Sequence, residues 1–97
     1  MITSKQRAYL RSVGNTIRPI LQIGKDGIND NLIKQIDDAL EAREIIKITV
    51  LKNSLQTPRE LCEKICELVD AEPVQVIGNR FIIYRRSKEK PRIVLPQ

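Results

Sequence analysis

Three segments of helical periodicity alternate with short runs of β-branched residues, and this alternation restricts the possible folds more than any other feature of the chain. The clearest strand is Ile45-Ile46-Lys47-Ile48-Thr49-Val50-Leu51. Its period of two places Ile46, Ile48 and Val50 on one face and Lys47 and Thr49 on the other. Lys52-Asn53-Ser54 breaks the run, and Thr57-Pro58-Arg59-Glu60 then opens a helix. That tetrad combines an N-cap hydroxyl, a proline at the first helical position and an acid three residues after the cap. Leu61, Ile65, Leu68 and Val69 recur as one apolar stripe along it.

The same grammar extends in both directions. Thr3-Ser4-Lys5-Gln6 fits a capping box opening a first helix, which carries Leu10 and Val13 and stops at Gly14-Asn15. Arg18-Pro19-Ile20-Leu21-Gln22-Ile23 reads as a strand, and Asn29 or Asp30 caps a second helix with Leu32, Ile33, Ile36, Ala39 and Leu40 on one face. After Pro73, Val74-Gln75-Val76-Ile77 and Arg80-Phe81-Ile82-Ile83-Tyr84-Arg85-Arg86 flank Gly78-Asn79, a two-residue hairpin signal. The order α-β-α-β-α-β-β predicts an α/β fold of α+β-like character. It implies a four-stranded mixed sheet with helices packed on it, the second and third on one face. Residues 1–86 read as a single domain, and residues 87–97 as a charged, flexible tail in which Ile93-Val94-Leu95 could dock.

Composition removes several functions. Tyr9, Phe81 and Tyr84 are the only large aromatics, so the core must be aliphatic. Tyr84 fits core packing better than a base-stacking platform. There is no histidine, hence no ordinary near-neutral proton acceptor, and catalysis is not expected. Cys62 and Cys66 lie on the apolar stripe of the third helix without further soft ligands, and read as buried thiols rather than a metal site or a disulfide. Neither a cofactor nor a small-molecule substrate is implied. No apolar run is long enough for a membrane span, and the expectation is a cytoplasmic, monomeric protein.

Charge is segregated along the chain. The net charge is +5, yet residues 1–28 hold five bases against one acid, and residues 74–97 hold six bases against one. The helical segments 29–45 and 57–73 each hold two bases and five acids. This distribution suits a surface for a polyanion. Between the first strand and the second helix lies Gly24-Lys25-Asp26-Gly27. Glycines at both ends let a backbone approach closely, the helix start beyond offers unpaired N–H groups, and Lys25 adds a full charge. A plain turn would have the same spelling. The functional alternative is a clamp on a sugar–phosphate backbone, comparable to the GXXG loop of KH domains. It is neither a Walker A motif nor a dinucleotide fingerprint, since Ile28 follows Gly27.

Thr3-x-Lys5-Gln6-Arg7-x-x-Leu10-Arg11, Gln22-Ile23-Gly24-Lys25-Asp26-Gly27, Val74-Gln75-Val76-Ile77-Gly78 and Tyr84-Arg85 occur in this order. Together, over about residues 2–86, they resemble the CRM domain family (chloroplast RNA splicing and ribosome maturation), and most closely its stand-alone bacterial YhbY-like form. The resemblance implies an RNA-binding module similar in layout to the C-terminal domain of translation initiation factor three. For the stand-alone form it also implies association with precursors of the large ribosomal subunit and a part in their assembly.

The family's GxxG loop falls on Gly24, Lys25, Asp26 and Gly27. Its basic surface would take in Lys5, Arg7 and Arg11 on the first helix and Arg80, Arg85 and Arg86 around the hairpin. Asp26 is at odds with a phosphate site, unless it caps the helix or orients Lys25. The competing expectation is a protein-interaction adaptor that docks a partner through its acidic helices or through an open sheet face bearing Lys47 and Thr49.

Overall fold

The computed structural model describes residues 2–97. Seven elements follow one another: α1 (Ser4–Gly14), β1 (Leu21–Ile23), α2 (Asp30–Arg43), β2 (Ile45–Val50), α3 (Pro58–Val69), β3 (Glu72–Ile77) and β4 (Arg80–Tyr84). They form the expected α/β fold, with one four-stranded sheet in the order β1-β2-β4-β3. β1 runs parallel to β2, while β4 is antiparallel to both β2 and β3.

The local signals act as read. Both capping boxes form, Thr3 with Gln6 and Thr57 with Glu60. Asn29, rather than Asp30, caps α2, its side-chain oxygen accepting from the Leu32 N–H at 2.8 Å. Two boundaries move. β1 is shorter than the apolar run suggests and begins at Leu21, although the Ile20 N–H already donates to the Lys47 carbonyl. β3 starts two residues earlier and contains Pro73, with an irregular register between Pro73 and Gln75. As an edge strand, β3 tolerates a residue without an N–H.

The sheet is covered on both sides. On one face Ile23, Ile46, Ile48, Val50, Phe81 and Ile83 meet the apolar stripes of α2 and α3, including Cys62 and Cys66. On the other, Ile45, Ile82, Val74 and Tyr84 meet Leu10 of α1. α1 lies close there: a Cβ on Gly14 would stand 2.7 Å from Ile82 Cδ1. Ile93 and Leu95 from the last segment pack on the same cluster. Tyr84 is therefore a core residue, and burial followed by the nearby Glu44 charge raises its pKa.

Candidate nucleic-acid interface

The carboxyl ends of β1 and β2 and the β3–β4 turn meet at one end of the sheet. The Leu51 N–H donates to the Ile23 carbonyl at 2.8 Å, and the Val50 N–H to the Asn79 carbonyl at 2.7 Å. These bonds gather the Gly24–Gly27 loop, the β2–α3 loop and the hairpin turn into one rim. Within the glycine loop the Gly27 N–H donates to the Gly24 carbonyl at 3.1 Å, closing a tight turn. Gly27 has φ +63°, a conformation that side chains other than glycine rarely adopt. At Gly24 a Cβ would meet Asn53 Oδ1 at 3.1 Å, so the neighbouring loop presses against it.

Lys25 and Asp26 at the tip are exposed, and among the described residues neither side chain has a hydrogen-bond or ion-pair partner. Asp26 thus neither caps α2 nor holds Lys25. Grooves flank the loop on both sides. One, of about 240 Å³, runs between the loop, β1 and the first turn of α2. The other, of about 490 Å³, lies between the loop and the β2–α3 connection, lined by Ile28, Leu55, Gln56 and Lys64. Leu55 is 87% exposed, an unusual position for so large an apolar side chain.

The structure divides the remaining candidates. Arg80 is exposed and sits at the loop end, paired in register with Thr49 and Ile77. Lys5, Arg7 and Arg86 lie towards the opposite end of the sheet. There Lys5 Nζ donates to the Gln97 carbonyl at 3.0 Å, and Arg7 Nε to the Pro73 carbonyl at 3.1 Å. Arg11 is half-buried on α1, between these two ends of the fold. Arg85 departs from the expected surface role. Its side chain is only 11% exposed and is held by the Asp37 carboxylate, the Asp37 carbonyl and the Val69 carbonyl. It ties the end of β4 to the middle of α2 and the last residue of α3 instead of facing solvent.

Glu41 and Glu44 explain why that end is ordered. Glu44, fully buried, accepts the Ser87, Arg92 and Ile93 N–H groups at 2.7–2.8 Å. Burial alone would raise its pKa, but these donors, with Arg86 nearby, lower it. Glu41 accepts the Lys88 N–H, the Ser87 hydroxyl and the Glu89 N–H, which together hold its pKa at about 2. Sequence reasoning missed both acids, because their partners lie more than 40 residues away.

Two other expectations meet the geometry. The sheet face bearing Lys47 is only partly open: Lys47 is 8% exposed, α1 and the last segment cover much of that face, and the rung of Gln22, Thr49, Arg80 and Ile77 is left uncovered. An adaptor reading that docks a protein there keeps only that rung. Both cysteines are buried and free, and the adjoining Cys62 thiol, with burial, pushes Cys66 above its ordinary pKa. Among the described residues no His, Cys, Asp and Glu cluster could hold a metal, and no helix is long and apolar enough to cross a membrane.

Residues 2–85 match the family model for the CRS1 / YhbY (CRM) domain, and the chain belongs to this family. Among its relatives is the Bacillus subtilis protein named "Probable RNA-binding protein YqeI", 46% identical, with 99% of this chain aligned to all of that one. A Methanocaldococcus jannaschii protein, "Probable RNA-binding protein MJ0652", is 33% identical across 87% of this chain and 63% of its own length. In Arabidopsis thaliana the CRM-domain containing factor CFM2 of chloroplasts is 28% identical, this chain spanning a tenth of its length. The solution structure of the Staphylococcus aureus hypothetical protein SAV1595 superposes with a TM-score of 0.82 at 55% identity, over 99% of this chain and all of that one. The bacterial and archaeal relatives are named for RNA binding rather than for an enzymatic activity.

Proposed function

We propose that this protein is an RNA-binding protein that engages precursor large-subunit ribosomal RNA in the cytoplasm, as a monomer, and assists ribosome assembly. The observation that carries this reading is the Gly24–Gly27 turn. A positive-φ glycine, an unpaired Lys25 and the start of α2 converge there between two grooves. Backbone N–H groups and a mobile ammonium at a helix start suit a phosphodiester. The names of the relatives support RNA as the polyanion.

Lys25 and Arg80 make the first contacts, with Arg11 and Arg7 on α1 extending them; Lys5 and Arg86 serve a longer strand. Arg85 is left out because its guanidinium is already held inside the protein. With few exposed aromatics for stacking, backbone and shape dominate recognition.

If four to six phosphates are neutralised, log K falls with log salt at a slope of roughly −3 to −5. Crosslinking in cells followed by sequencing tests the biological half of the reading. Reads concentrated on large-subunit ribosomal RNA and lost with Gly27→Asp support it. Reads scattered over messenger and transfer RNA leave RNA binding but remove the ribosome. Absence of RNA returns the adaptor, docking through the acidic helices.

A further inference from the structure

Three polar or charged residues are buried: Glu44, Lys47 and Ser87. Two of them are satisfied inside the protein, Glu44 by three backbone N–H groups, and Ser87 by the carboxylates of Glu41 and Glu44. Lys47 is the exception. At 8% exposure it has no side-chain hydrogen bond and no ion pair among the described residues. Among the described residues Gln75 Oε1 and Arg85 Nε are the buried side-chain atoms left without a partner, and Lys47 Nζ is not one of them: its stem is covered while the ammonium reaches water.

Its rung supplies no carboxylate: Lys47 lies opposite Ile82, which is in turn opposite Gln75, whose buried Oε1 has no partner of its own. Two residues away on its own strand, and on the same face, stand Ile45 and Thr49. α1 covers Ile82 through Gly14 and ends there. The next rung towards the glycine loop is uncovered. It reads Gln22, Thr49, Arg80 and Ile77 across the four strands, and Gln22, Arg80 and Ile77 are exposed. The unpartnered ammonium thus sits at the foot of a polar shelf that carries a second cation, Arg80, and adjoins the loop end of the sheet.

We propose that Lys47 is a phosphate-binding residue, taking one phosphodiester of an RNA strand that leaves the glycine loop and crosses the Gln22–Thr49–Arg80 shelf. This rests on the RNA-binding reading and adds to it a contact face set apart from the loop. A phosphate oxygen meets the ammonium at its solvent-facing edge, and the covered stem leaves less rotamer freedom to lose on binding. The bases then lie over a rung of amide, hydroxyl and guanidinium groups.

The test uses the full chain and an in vitro transcript of large-subunit ribosomal RNA as probe, with affinity measured across a salt series. Lys47→Met keeps the unbranched stem and removes the charge. Affinity is expected to fall roughly three- to tenfold and the salt slope to shrink by about one, with an unchanged or higher unfolding midpoint. Thr49→Glu is the second variant, placing a carboxylate beside the ammonium from a half-buried position. It is expected to weaken binding at least as much, and it serves if Lys47→Met fails to fold. Wild-type affinity and slope in either folded variant, while Lys25→Ala lowers both, would make Lys47 a structural residue and overturn the inference alone. A wild-type protein that does not bind the transcript would overturn this inference together with the reading it rests on.

Discussion

The two ends of the sheet use charge in opposite ways. One is a clamp end, away from the glycine loop, where Glu41 and Glu44 hold the last segment. There Glu41, Glu44 and Arg85 are all engaged by the protein itself, and even Lys5 donates to the Gln97 carbonyl. At the loop end Lys25, Asp26 and Arg80 have no side-chain partners among the described residues, and Leu55 stands almost wholly in solvent. The C-terminal quarter is as basic in sequence as the N-terminal one, but part of its charge closes the fold while the loop end leaves its charge free. A count of bases therefore overstates the interface, and the useful quantity is the number of cations without an internal acceptor.

The comparison can be broken most forcefully at Glu44. Replacing it with alanine strands one buried and two part-buried N–H donors, and a loss of roughly 3 kcal/mol is expected in urea unfolding. Glu44 also has φ +68°, so Glu44→Gly should be less damaging than Glu44→Ala by about 1 kcal/mol. Equal losses would mean that backbone strain at this junction is negligible. Affinity of the surviving folded fraction for a short RNA that reaches only the glycine loop should be close to wild type, since the clamp lies away from the loop.

Gly27→Asp should do the reverse. It forces a side chain into φ +63° and sets a second acid beside Asp26. RNA affinity should drop by about tenfold or more, equivalent to about 1.4 kcal/mol, for a stability loss of only about 1 kcal/mol. Wild-type affinity in this variant would remove the loop from the interface.

Gly14→Ala sharpens the contrast from a third side. Its Cβ would crowd Ile82, which is fully buried, and a net loss of about 1 kcal/mol is expected after the helical gain of alanine. The smallest effect is acid sensitivity. Glu41 titrates at about 2 in the folded protein against an ordinary 4.5, so its contribution is complete above about pH 4.5 and is lost as pH falls towards 2. Glu44 shifts in the same direction. Protection of the Ser87, Lys88 and Ile93 amides against exchange should fall across that window before that of the loop end does, and Glu41→Gln should flatten the response.

Much of this was legible in the chain because the informative contacts are short-range. Thr3 with Gln6, Thr57 with Glu60, and Asn29 with Leu32 each span three residues, so their spelling and their geometry coincide. The positive φ at Gly27 was readable for the same reason. Arg85 and Glu44 were not, because Arg85 finds Asp37 across 48 positions and Glu44 finds Ile93 across 49. Nothing in the local pattern separates an arginine bound for a carboxylate of its own chain from one bound for a phosphate. Lys47 was visible as the one charge inside a β-branched run, but only the packing of α1 shows that its stem is covered.

The chain's two ends offer a practical consequence. The Ile2 N–H donates to Glu72, Gln6 Nε2 donates to the Pro96 carbonyl, and both contacts lie at the clamp end. Entry and exit are thus side by side, with the whole length of the sheet between them and the glycine turn. A domain wired in this way can be threaded like a bead, with linkers, tags or neighbouring copies attached at one pole while the other stays unobstructed.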